Sequence, residues 1–146
     1  MGLERDSTAH DSAGREIDSY RLTSESLQRL AAAKRNVSAL YARDPSVDGR
    51  MRGTSAPKTL DEMTKRIDSE PGMHSALEQA GLSAREYMIS MVALQGAVKG
   101  YQLKAAGKLD TTRVPATVLA NIDFVGSHMP EVMQTIMASG TRKATP

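Results

Sequence analysis

The chain has 146 residues, balances 19 basic against 17 acidic side chains for a formal charge of +2, and contains no cysteine. That length supplies one core without covalent support. Interspersed charge of this kind excludes the footprint of a nucleic-acid binder, and the missing thiols exclude disulfides, cysteine zinc sites, thiol catalysis and covalent haem attachment. Apolar residues make up 40% of the chain but aromatic ones only 3%, so the core must come from Leu, Val, Ile, Ala and nine Met, which favours helices over strands.

Residues 1–14 are polar and without periodicity, which predicts a disordered arm, followed by a single helical domain over 15–140 and a flexible tail over 141–146. The opening "MGLERDSTAHDSAGRE" lacks an apolar run, so the chain as given is expected to carry no signal peptide. Ile17, Tyr20 and Leu22 read as an extended lead-in. Thr23 or Ser24 can cap the first helix, whose stripe is Leu27, Leu30, Ala33, Val37, Leu40 and Tyr41 and which ends before Asp44-Pro45. The segment "PSVDGRMRGTSAP" then reads as a loop of about a dozen residues. Between Arg29 and Arg66 the basic residues outnumber the acidic ones, and this reads as a solvated face with no nucleic acid expected.

Thr59 and Glu62 have capping-box spacing, with Leu60, Met63 and Ile67 on the buried side of the helix they open. Pro71 breaks that helix or begins the next, which runs through Met73, Leu77 and Ala80 to Gly81, a residue suited to a left-handed terminus. Ser83 and Glu86 form a second box, flanked by Leu82 and Tyr87. From there Tyr87, Met91, Leu94, Val98, Tyr101 and Ala105 step by three and four, while Ile89, Val92 and Leu103 lie on the other side with the small residues Ser90, Ala93, Gly96, Ala97 and Gly100. Only Gln95, Lys99 and Gln102 make a polar edge, so residues 83–106 are expected to be a buried central helix. Gly96 and Gly100 would each cost about 1 kcal/mol in a helix interior, which makes sense where another helix approaches the backbone. Pro115 is expected to start a short turn of helix to Ala120, Asn121 another, and Pro130 the last helix, ending at Gly140. The predicted architecture is all-α, a bundle of about five helices around the central one. No stretch is long and apolar enough to cross a bilayer.

Three motifs, Tyr20-Arg21-Leu22-Thr23, the run Gly81 to Tyr87, and Asn121-Ile122-Asp123-Phe124-Val125, together resemble small uncharacterised, exported bacterial all-helical proteins. The resemblance covers residues 15–139 and implies an exported or periplasmic location if a signal peptide was removed, with a cytoplasmic one otherwise. It brings no activity and no catalytic residues.

Catalytic constellations are thin. The histidines are His10, His74 and His128, no hydrolase, P-loop, dinucleotide or zinc-protease motif occurs, and Asp61-Glu62 belong to a first helical turn, so no enzyme is expected. From Met129, the residues at three- and four-residue steps are Val132, Met133, Ile136 and Met137, an apolar face that reads as core. The alternative is a soft-metal site, since thioethers select Cu(I) and His128 could join Met129 and Met133 as ligands. Two functional readings follow: a non-enzymatic interaction or structural protein with a protein partner, no cofactor and an open oligomeric state, or a helical bundle that binds an apolar ligand, haem or copper.

Overall fold

Hydroxyl side chains start the three best-defined helices. Thr23 Oγ1 accepts from the Ser26 amide at 3.0 Å while Ser26 Oγ accepts from the Thr23 amide at 2.8 Å, opening α2 (Ser24–Arg43). Thr59 and Ser83 accept from the Glu62 and Glu86 amides at 3.1 and 3.0 Å, opening α4 (Leu60–Asp68) and α6 (Ala84–Ala105). Each bond satisfies an amide that has no partner inside its helix. The computed structural model describes residues 14–52 and 59–138, where the remaining elements are α1 (residues 14–19), α3 (Pro45–Arg52), α5 (Pro71–Gln79), a 3₁₀ turn at Thr111–Arg113, α7 (Ala116–Ser127) and α8 (Met129–Ile136). Among the described residues the fold is all-α, with no strand and no helix long and apolar enough to cross a membrane.

Among the described residues, two have positive φ, and they end α5 and α6. At Gly81 (φ 83°) the Leu82 amide reaches back to the Leu77 carbonyl and the Gly81 amide to Glu78; at Gly107 (φ 72°) the Lys108 and Gly107 amides bond Leu103 and Lys104 in the same pattern. This is the hydrogen-bond arrangement for which glycine is favoured one residue past the helix.

Packing is shared between two long helices: α6 lies against α7, α4, α2 and α5, and α2 also meets α5, α8 and α3. The core unites Leu27, Leu30, Ala33, Val37 and Leu40 of α2 with Tyr87, Ala93, Leu94 and Ala97 of α6 and Val125 and Val132 from α7 and α8. The central helix is not buried all round, however: Val92, Gln95, Gly96, Lys99 and Gln102 are exposed along one stripe.

Several expectations are corrected. The lead-in is not wholly extended, because residues 14–19 are helical and only the residues just before α2 are not. Most of the expected loop after Asp44 is α3. Pro45 occupies the first helical position, Asp44 Oδ1 accepts from the Ser46 amide at 3.2 Å, and buried Val47 anchors the helix, so the signal that ends α2 also starts α3. The expected pair of short helices after Pro115 is one continuous helix, since Asn121 sits in its interior and spends its side chain on another segment. In α8 the buried face is Val132 and Thr135, whereas Met133, Ile136 and Met137 are exposed, so the methionine face is not core. Thr135 can take the inner position because its hydroxyl donates back to the Glu131 carbonyl at 3.0 Å, leaving no bare polar group. The expected arm over 1–14, except for Gly14, which is helical, and the expected tail over 141–146 lie outside the described residues.

Candidate functional site

The polar edge of α6 borders a groove of about 440 Å³ between α2, α6 and α8. Its floor is apolar: Leu30 of α2 and Leu94 of α6 are core residues, and Met91, Val98 and Ile136 complete the lining. Lys34, Gln95, Lys99 and Gln102 form the rim. Next to Ile136 on α8, Met133 is 43% and Met137 71% exposed, and just beyond the rim of α6 Val92 is 38% exposed. Two of these four large exposed apolar side chains, Met133 and Ile136, therefore belong to one short helix and a third, Met137, follows it directly, and Ile136 lines the groove.

The rim is cationic. Lys34 Nζ donates to the Ile136 carbonyl at 2.6 Å, so it both closes the end of α8 and stands at the mouth of the groove. Burial pulls its ammonium below the usual lysine value. Among the described residues, no acidic side chain lines the groove. Each of the three bounding helices has a single carboxylate, in its first turn: Glu25, Glu86 and Glu131. Glu25 pairs with Arg29 at 2.7 Å, and Glu131 accepts from the Ser24 hydroxyl at 3.0 Å.

The other sequence candidates fall elsewhere. His128 closes α7 with its ring stacked on Phe124, centroids 4.1 Å apart, and its Nδ1 lies 3.1 Å from the Phe124 carbonyl. A carbonyl can only accept, so Nδ1 carries the hydrogen and Nε2 alone is left for a ligand. Met129 packs against the core while Met133 faces out. His74 pairs with Asp68 at 3.3 Å on the surface, and His10 lies outside the described residues. Among the described residues no group of three or more His, Asp or Glu side chains could hold a metal ion.

The two central-helix glycines also separate. A Cβ at Gly100 would lie 2.5 Å from Ile122 Cδ1 and 2.9 Å from its Cγ1, so α7 comes close to the α6 backbone there. Gly96 has no atom within 4 Å of that position and is exposed, so the expectation of a close helix contact at Gly96 is corrected: no described helix approaches the backbone there.

Two polar connections hold the surrounding frame. Arg85 grips Glu16 of α1 through two nitrogens, one of them Nε at 3.1 Å from Oε1, and reaches Asp61 of α4 at 2.6 Å. The Arg85 guanidinium holds the Glu16 carboxyl below its ordinary value, and the same bonds raise Arg85. Buried Asn121 of α7 holds the segment before α2, and thereby helps fix the direction in which α2 enters the fold.

The groove was not legible as a site in the sequence. A first signal was the edge Gln95-Lys99-Gln102, which runs beside the apolar Met91 and Val98 on a helix otherwise largely buried. Lys34, four residues after Leu30 on the core stripe of α2, was a second hint. No protein-family model, curated protein or solved structure matches the chain.

Proposed function

We propose that the protein is a non-enzymatic helical interaction module whose α2/α6/α8 groove receives a partner. One observation carries the reading: the partly exposed apolar lining of the groove, Met91, Val98 and Ile136, is continued by exposed Met133 of α8 and by Met137 just past its end. Apolar side chains scattered singly on a surface need no explanation, but a cluster beside a groove with a polar rim has the composition of an interaction site. Methionine suits such a surface, because its unbranched, polarisable side chain adapts to the shape of what covers it.

A second reading, an amphiphilic small ligand, rests on the volume, which falls within the range of ordinary ligand pockets. Photo-crosslinking in the source organism separates the two. A benzophenone side chain at Met133 should give a discrete protein adduct whose crosslinked peptide maps to one partner, while the same group at exposed Gln79 of α5 should not. Equal labelling from both positions, or none from Met133, overturns the interaction reading.

A further inference from the structure

We infer that the partner segment is an acidic amphipathic helix, seated with its apolar stripe on Met91, Val98 and Ile136 and its carboxylates on Lys34 and Lys99. The inference rests on the interaction reading above and adds the chemistry of the partner to it.

Charge selects the sign. The rim contains two lysines and no carboxylate, and among the described residues no acidic side chain pairs with Lys99. Lys34 spends one donor on the Ile136 carbonyl, and an ammonium has three, so two remain for an incoming carboxylate. Burying the floor under a neutral or basic segment would leave both cations desolvated without a counter-charge, which is the costly arrangement at an interface.

The same charges disfavour the other occupants. An isologous second copy would add a second pair of lysines to the interface and no acidic lining residue to pair with any of the four. The chain's own residues 139–146, "SGTRKATP", are basic and offer no large apolar anchor. Residues 1–13 contain acids, but Met1 and Leu3 are their only large apolar side chains and make no helical stripe.

Shape selects a helix. The lining runs along α6 from Met91 to Gln102, eleven residues on, which at about 1.5 Å per residue is roughly 16 Å or three turns. That is the span of apolar anchors spaced i, i+3 or i+4, and i+7 on a helix in a groove. Gly96 lies just outside this edge, beside Val92, with open space where its side chain would be. A glycine inside an exposed stretch of helix lowers helix stability without a compensating contact in the described fold, and it permits a second helix backbone to come close.

The test uses two fluorescein-labelled synthetic peptides of about sixteen residues with the same leucine stripe, one with Glu and one with Lys on the polar face, titrated by anisotropy at low salt. The acidic peptide should bind the full-length protein roughly tenfold or more tightly than the basic one, and added salt should narrow the gap. Lys99→Glu, which leaves the rim with one cation and one carboxylate, should erase most of the preference, and Ile136→Asp should abolish binding of both with the helical circular dichroism unchanged. Equal binding of the two peptides, or no effect of Lys99→Glu, overturns the acidic partner; if Ile136→Asp still removes binding, the docking groove itself stands. Should neither peptide bind while laurate does, the groove belongs to a small amphiphile and both readings fall.

Discussion

Asn121 holds Leu22 across ninety-nine residues of sequence: its Oδ1 accepts the Leu22 amide at 2.9 Å, and its Nδ2 donates to the Tyr20 carbonyl at 2.8 Å. Asn121 is 2% exposed, so both backbone groups depend on this one side chain. Replacing it with Leu keeps the volume but leaves the buried Leu22 amide and the part-buried Tyr20 carbonyl without this partner, at a cost of about 1 to 3 kcal/mol. Urea unfolding should therefore show a clear drop in midpoint. An unchanged midpoint would mean that the Tyr20–Leu22 segment is not docked on α7.

The bond also shows what the sequence could and could not convey. Tyr20-Arg21-Leu22-Thr23 and Asn121-Ile122-Asp123-Phe124-Val125 both stand out as motifs, yet nothing local says that one grips the other. Caps and glycine termini were readable because each is settled within five or six residues: Thr23 with Ser26, Ser83 with Glu86, and Gly81 with Leu77 and Glu78. The orientation of α8 was not, because periodicity alone favours Met133 and Ile136, and only the self-satisfied hydroxyl of Thr135 makes the opposite face acceptable in a core. The groove was hidden for a related reason, being the meeting of three helices whose contributions are each unremarkable along the chain.

Substitutions at the two glycines of α6 should have opposite signs. Gly100→Ala places a methyl against Ile122, which is itself fully buried, so overpacking should cost about 1 to 3 kcal/mol despite the better helix propensity. Gly96→Ala meets nothing and should gain up to about 1 kcal/mol. If a partner helix lies along that face, Gly96→Leu should leave the isolated protein stable and weaken the complex. Thermal unfolding of each variant, with and without the acidic peptide, gives the comparison.

The Arg85 connection predicts an acid limb in stability. Its guanidinium holds Glu16 below the ordinary value of 4.5, so in this pH range the unfolded chain binds more protons than the folded one. The stabilisation is present above that ordinary value and is lost as pH falls through the lower folded one. Arg85→Gln should flatten the limb, seen as a smaller change in urea midpoint between pH 6 and about pH 3. At the other extreme, burial pushes the Tyr87 phenol up to about 12, so stability should decline as pH rises from its ordinary value of 10 towards that value. Tyr87→Phe should remove this alkaline contribution.

The methionines of α8 supply the sharpest comparison between neighbouring residues. Val132 is wholly buried, and Val132→Ala should cost about 1.5 to 3 kcal/mol from lost burial alone. Met133, the next residue, is 43% exposed, so Met133→Ala and Met133→Leu should both unfold within about 0.5 kcal/mol of the parent. What separates them should be binding: Ala removes apolar area from the face beside Ile136 and should weaken the acidic peptide, whereas Leu keeps most of that area and should retain it. A copper site would respond differently, because both substitutions remove the thioether and Cu(I) affinity would fall equally in each. Urea unfolding, peptide anisotropy and Cu(I) titration on the parent and the three variants decide the matter. A large loss of stability in Met133→Ala would return this face to the core, and equal loss of Cu(I) binding in both Met133 variants with peptide binding intact would make it a metal site.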